Sequence, residues 1–133
     1  MPNYALVVVP RGWEPDKAIG FSDAVYHQWH DKIQAGMRAL IFKNHPVNAI
    51  IGEGECLGVF ARLTDWPNVK EPPMTALGTR ATYIMPLEML YMRAQANRVP
   101  LEQVKERISD PAFPNIEFLP VEEDDYHILA NWP

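Results

Sequence analysis

Tryptophans set among turn-forming residues are the first feature of this sequence that could carry chemistry. Trp13 stands in RGWEPDKAIG (11–20), between Gly12 and Pro15, and Trp66 precedes Pro67 in a proline-rich connection. A loop indole offers a flat apolar face and one N–H donor. It can stack on a flat ring or meet another protein, or it can cap one edge of a sheet. Trp29 differs, because Val25, Trp29 and Ile33 recur at i, i+4 and i+8 and form one buried stripe. From that position it can still wall a pocket from within the core. Lys43-Asn44-His45 put an ammonium, an amide and an imidazole into one short turn. Such a group can hold a phosphate or a base edge, and it is also what an ordinary solvated turn looks like. Arg80 and Tyr83 fall on opposite faces of one extended run, so at most one of them faces a given pocket. Arg38 and Lys32 add further positive charge that can serve a phosphate or only solvate the surface.

Two other constellations invite a chemical reading. Glu53 and Glu55 share a strand face at i, i+2, where paired carboxylates can do acid–base work or hold an ion. Leu57 and Val59 continue that face, and a strand face that passes from solvated to buried explains the pattern with less. His27 and His30 sit at i, i+3, with Asp23 and Asp31 each four residues from His27, but the spacing matches no metal motif. Cys56 is the single cysteine and lies inside an apolar run, which suits an inert buried thiol. There is no Ser/His/Asp order, no P-loop and no dinucleotide fingerprint, so neither a metal nor a cofactor is expected.

The elements that must position these residues can be read from periodicity. The segment RALIFKNHPVNAIIGEGECLGVFARL (38–63) reads as two extended runs joined by a polar turn, an antiparallel hairpin whose glycines mark a bulge or a close approach. Before it, 4–9 is rich in β-branched residues and reads as a buried central strand. Ser22 suits an N-cap for a helix over 23–35, stopped by Gly36. After the hairpin, 79–84 reads as a strand. Pro86 opens a helix to about 97 carrying Leu87, Leu90, Tyr91 and Ala94, and Pro100 opens a second one carrying Leu101, Val104 and Ile108. A short strand over 116–119 and a last helix after the acidic run 122–125 close the list.

With 133 residues, the chain is expected to form one domain over 1–133, large enough for a core without staples. The fold class is expected to be α+β: a curled, mostly antiparallel sheet or open barrel of about five strands with short flanking helices. The net charge of −5 argues against a general nucleic-acid coat protein and leaves room for a reader with a small basic patch. No run approaches the length that spans a bilayer, and no leader pattern is present, so a cytoplasmic protein without a membrane partner is expected.

The order strand, aromatic loop, helix, Gly, "RALIFKNHP", "AIIGEGECLGVFARLTD", strand, then "FLPVEEDDYHIL" resembles the PUA-like superfamily. Within it the chain is most similar to the EVE domains and their YTH and ASCH relatives. "IQAGMRALIFKNHPVNAIIGEGE" matches the EVE pattern of helix end, Gly, strand, turn and Gly-containing return strand. "PLEQVKERISD…FPNIEFLPVEEDDYHIL" matches its C-terminal half. EVE proteins commonly carry Lys-Ser-Glu-Pro after the first strand, where this chain has Pro10-Arg11-Gly12-Trp13-Glu14-Pro15.

The resemblance implies a module that takes a modified base of DNA or RNA, single-stranded or flipped, into an aromatic pocket. Trp13, Trp29, Trp66 and Tyr83 would supply rings, and Lys43, Asn44, His45 and Arg80 the polar contacts. An ASCH-like hydrolase acting on a modified nucleoside or RNA is the alternative, using Glu53 or Glu55 with Lys43. A third possibility is an interaction domain whose loop tryptophans meet another protein.

Overall fold

The structure is a computed structural model, and it describes residues 4–15, 18–58, 61–62 and 73–133. Its centre is β1 (Tyr4–Val9), whose residues beyond Tyr4 are all buried. The chain runs from β1 through β2 (Ile19–Phe21) and helix α1 (Asp23–Trp29) to the hairpin β3 (Arg38–Lys43) and β4 (Ala49–Cys56). There follow β5 (Ala61–Arg62), β6 (Tyr83–Met85), β7 (Leu87–Met92), β8 (Val99–Pro100), α2 (Leu101–Arg107), β9 (Phe118–Pro120) and α3 (Glu123–Ala130). The large sheet has the order β7-β4-β3-β1-β9, with β8 also paired to β4, and a smaller one has the order β2-β6-β5. Only β1 and β3 pair in parallel; the other described pairings are antiparallel. The fold is therefore α+β with an open, mostly antiparallel sheet, as expected, but with nine described strands in two sheets rather than about five.

Alternation along the central strands divides the core. Ala5, Val7, Val9, Ala39 and Ile41 face α1 and the small sheet, together with Trp13, Phe21, Val25, Ile33 and Phe118. Leu6, Val8, Leu40 and Phe42 face the other way, against Val104 of α2 and Tyr126 and Leu129 of α3. Both faces of the central strands are covered, which is why their sequence is apolar without alternation.

Three expected elements differ. The segment after Pro86 is a strand, β7, because its backbone pairs with β4; Leu87, Leu90 and Tyr91 have helical spacing by coincidence, with the register shifting at Glu53/Gly54. Helix α1 ends at Trp29 rather than near 35, although Ile33 is buried as its stripe requires. The strand expected over 79–84 is Tyr83–Met85, while Arg80 makes an isolated bridge with Met74. The hairpin, its bulged register and the buried β1 are found where the sequence put them. Among the described residues, no helix is long and apolar enough to cross a membrane.

Candidate functional site

The ends of β1 and β3 hold the polar turn in place. These parallel strands finish side by side at Val9 and Lys43. The Asn44 N–H donates to the Val9 carbonyl at 3.0 Å, and the Asn44 side-chain amide donates to the Ala76 carbonyl at 2.8 Å. His45 stays exposed, with its Nδ1 accepting from the Asn48 amide at 3.4 Å. Arg80 is also exposed, on the 73–81 segment that Asn44 anchors. Lys43 is half-buried and makes no ion pair among the described residues.

Trp13 corrects an expectation. Its ring is 4 % exposed and belongs to the core on the α1 side. Its backbone N–H closes a turn onto Pro10, and its indole N–H donates to the Ala18 carbonyl at 3.3 Å. With its donor satisfied, the ring fills space between the end of β1 and β2. It is not presented to another protein. Trp66 lies outside the described residues.

Helix α1 carries the densest group of rings. Tyr26 stacks on Tyr83 with centroids 3.9 Å apart and planes 1° from parallel, and His30 stacks on Tyr26 at 5.0 Å and 24°. Trp29 packs on Phe118 at 5.8 Å, and Phe118 meets Phe21 edge-on at 6.3 Å. At the start of the helix, Ser22 is the N-cap, accepting from the Val25 N–H at 3.4 Å. Its own N–H and Oγ–H donate to the two carboxylate oxygens of Glu117, at 2.7 and 2.6 Å. Glu117 is 6 % exposed and directly precedes the Phe118 that joins the ring cluster. Periodicity gave no sign of this carboxylate, because it stands in an irregular segment before a three-residue strand.

The other face of the sheet holds Glu53. It is buried rather than solvated, and it accepts a short hydrogen bond from the Tyr126 hydroxyl and one from Arg38 Nη1 at 3.2 Å. Arg38 Nε lies 3.5 Å from Glu55. Burial, then the bond to Glu53 and its charge, push the Tyr126 hydroxyl well above the ordinary tyrosine range, against the opposing charge of Arg38. Glu53 pairs with Leu40, whereas Lys43 follows Ile41 by two residues on the opposite face. The carboxylate and the lysine of the hydrolase reading therefore do not meet across one substrate.

His27 and His30 are similarly apart in role: His27 Nε2 is 3.2 Å from Asp23, while His30 Nδ1 donates to the Tyr26 carbonyl at 2.9 Å. Among the described residues, no group of three or more His, Cys, Asp or Glu side chains could hold a metal ion. Cys56 is buried, and its thiol donates to the Gly58 carbonyl at 2.8 Å. An open depression of about 410 Å³ lies at the far edge of the large sheet, between Tyr91, Arg93, Asn97 and Trp132. The two terminal nitrogens of Arg93 there donate to backbone carbonyls of Asn97, Leu129, Ala130 and Trp132, while its buried Nε has no hydrogen-bond partner among the described residues.

No protein-family model and no curated protein matches the sequence. Solved structures do match. Human THYN1, solved in complex with 5-methylcytosine-containing DNA, aligns over 96% of this chain and 95% of its own, with a TM-score of 0.66 at 7% identity. A tyrosine-to-phenylalanine variant of the ASCH protein from Zymomonas mobilis aligns over 96% of both chains, with a TM-score of 0.62 at 14% identity. The fold is PUA-like. A hypothetical protein from Leishmania major shares it too, with a TM-score of 0.68 at 12% identity over 95% of this chain and 90% of that one. At these identities the likeness is one of fold.

Within the PUA-like frame, the residues singled out in the sequence separate into two groups. Lys43, Asn44 and His45 lie at the hairpin turn, which Asn44 ties to Ala76 of the 73–81 segment that carries Arg80. Trp29 and Tyr83 belong to the rings of the α1 face, and Trp13 shares the core behind them. Tyr26 on that face, and Glu117 bound to the Ser22 cap, are residues the sequence did not single out; Ser22 was legible only as the helix cap.

Proposed function

We propose that this protein is a nucleic-acid-binding module that recognises a modified base through the aromatic face of α1. One observation carries the proposal: the chain shares its fold, over 96% of its length, with a protein solved on DNA containing 5-methylcytosine. The ring cluster supports it physically. A base drawn out of its strand and stacked on an aromatic side chain gains about 1–3 kcal/mol, enough to offset much of its unstacking in a single strand. Trp29, which is partly exposed, supplies such a face beside the stacked Tyr26 and the buried Tyr83, with Trp13 in the same core and Trp66 as a further candidate. Lys43, Asn44, His45 and Arg80 take the phosphates or a base edge. The single buried thiol suits a reducing, cytoplasmic setting.

Fluorescence anisotropy with short single strands, differing only in one central cytosine or 5-methylcytosine, tests the proposal. Tighter binding of the modified strand is expected, lost in Trp29→Ala. Equal affinity for both strands overturns selective recognition.

A further inference from the structure

We infer that Glu117 reads the bound base, and that the base it reads presents an amino group, as cytosine and adenine do and thymine and uracil do not. The inference rests on the reader function proposed above. The two buried carboxylates of the described residues are held by opposite means. Glu53 has the Arg38 guanidinium at 3.2 Å and the Tyr126 hydroxyl. Glu117 has only the two neutral donors of Ser22, and among the described residues no Lys, Arg or His lies within ion-pair distance of it. Buried charges are normally paired, because two neutral hydrogen bonds repay only part of the desolvation of an anion. A seven-residue helix start at Ser22 adds little to that. Among the described residues this carboxylate lacks a charged partner, and its remaining acceptor sites suit a donor on a bound ligand.

Its surroundings say what kind. Glu117 adjoins Phe118, which packs against Phe21 and Trp29, and its partner Ser22 opens the helix that carries Tyr26. Ser22, which holds the carboxylate, and Tyr26, one helical turn on, both keep partial exposure. Each carboxylate oxygen has one lone pair engaged by Ser22 and one left over. A flat ring on the aromatic face with an exocyclic amino group at its edge supplies the missing N–H donor. A carboxylate accepts from the cytosine N4 amino group in this way, whereas the O4 of thymine would face it as a second acceptor.

The test uses single strands that carry one central 5-methylcytosine or one thymine, bases with the same methyl group and different edges. The native protein should bind the 5-methylcytosine strand about tenfold or more tightly than the thymine strand. Glu117→Gln should bring the ratio to within about threefold, while Glu106→Gln on the exposed side of α2 leaves it unchanged. Should Glu117→Gln fail to fold, Glu117→Asp, which draws the carboxylate back by one methylene, should lower the ratio in the same direction. A thymine strand bound as tightly as 5-methylcytosine, with both tighter than cytosine, overturns the role of Glu117 and leaves the reader standing. A full ratio retained in the Glu117 variants overturns it as well. Binding of none of the strands removes both.

Discussion

Tyr126 and Cys56 show what burial does to single ionisable groups. The Tyr126 hydroxyl is held protonated by burial and by its bond to Glu53. The folded protein keeps that proton above about pH 10, where the unfolded chain releases it, so the unfolded state then binds fewer protons. Stability should fall with rising pH by about 1.4 kcal/mol per unit from this one site. Urea denaturation between about pH 9 and 11 should show a shallower decline in Tyr126→Phe than in the native protein. At neutral pH the same variant should lose about 1–3 kcal/mol, because the Glu53 carboxylate gives up a donor it cannot replace. The Cys56 thiol is pushed up by burial first, with the Gly58 carbonyl pulling partly back and the Glu55 charge adding to the rise. Native protein should therefore resist alkylation by iodoacetamide at about pH 8, and unfolded protein should react within minutes; rapid labelling of the native form would contradict the burial. Cys56 was legible from its place in an apolar run. Glu117 was not, because nothing in a linear pattern says that a carboxylate and a serine 95 residues apart will meet.

At the scale of elements, the closest packing is where β7 crosses β4. A methyl group added to Gly52 would run into the Tyr91 carbonyl oxygen, and one on Gly54 would press on the Leu87 side chain. Gly52→Ala should cost about 1–3 kcal/mol by thermal or urea denaturation, since backbone has to move. Gly12→Ala, with nothing within 4 Å of the added group, should change stability by no more than about 0.5 kcal/mol. The glycines of β4 were correctly legible as marks of close approach. The strand that approaches them was not. LEMLYM is rich in leucine and methionine, good helix formers, and only its pairing to β4 makes it extended. Trp13 misled for a related reason: Gly12 and Pro15 announce a turn, and a turn says nothing about which way its indole points. The hairpin, β1, α2 and α3 were readable because period and punctuation agreed in each.

For the molecule as a whole, charge sets the character of the proposed binding. With a net charge of −5, the protein has few cations to place against a strand. If Lys43 and Arg80 make the phosphate contacts, the plot of log affinity against log salt for a single strand should have a slope of about −1.4, and each alanine substitution should reduce its magnitude by about 0.7. A slope unchanged in both variants would place the contacts elsewhere. The order of the sheet has another consequence. β1 lies between β3 and β9, so its neighbours are synthesised separately, the second of them at Phe118–Pro120. On the ribosome, Tyr4–Val9 must wait through roughly a hundred further residues with one edge unpaired, a stretch of β-branched side chains open to other nascent chains. Truncation before 118 should leave that edge bare and yield aggregates detectable by light scattering, so the arrival of Phe118–Pro120 is what shields the strand at the centre.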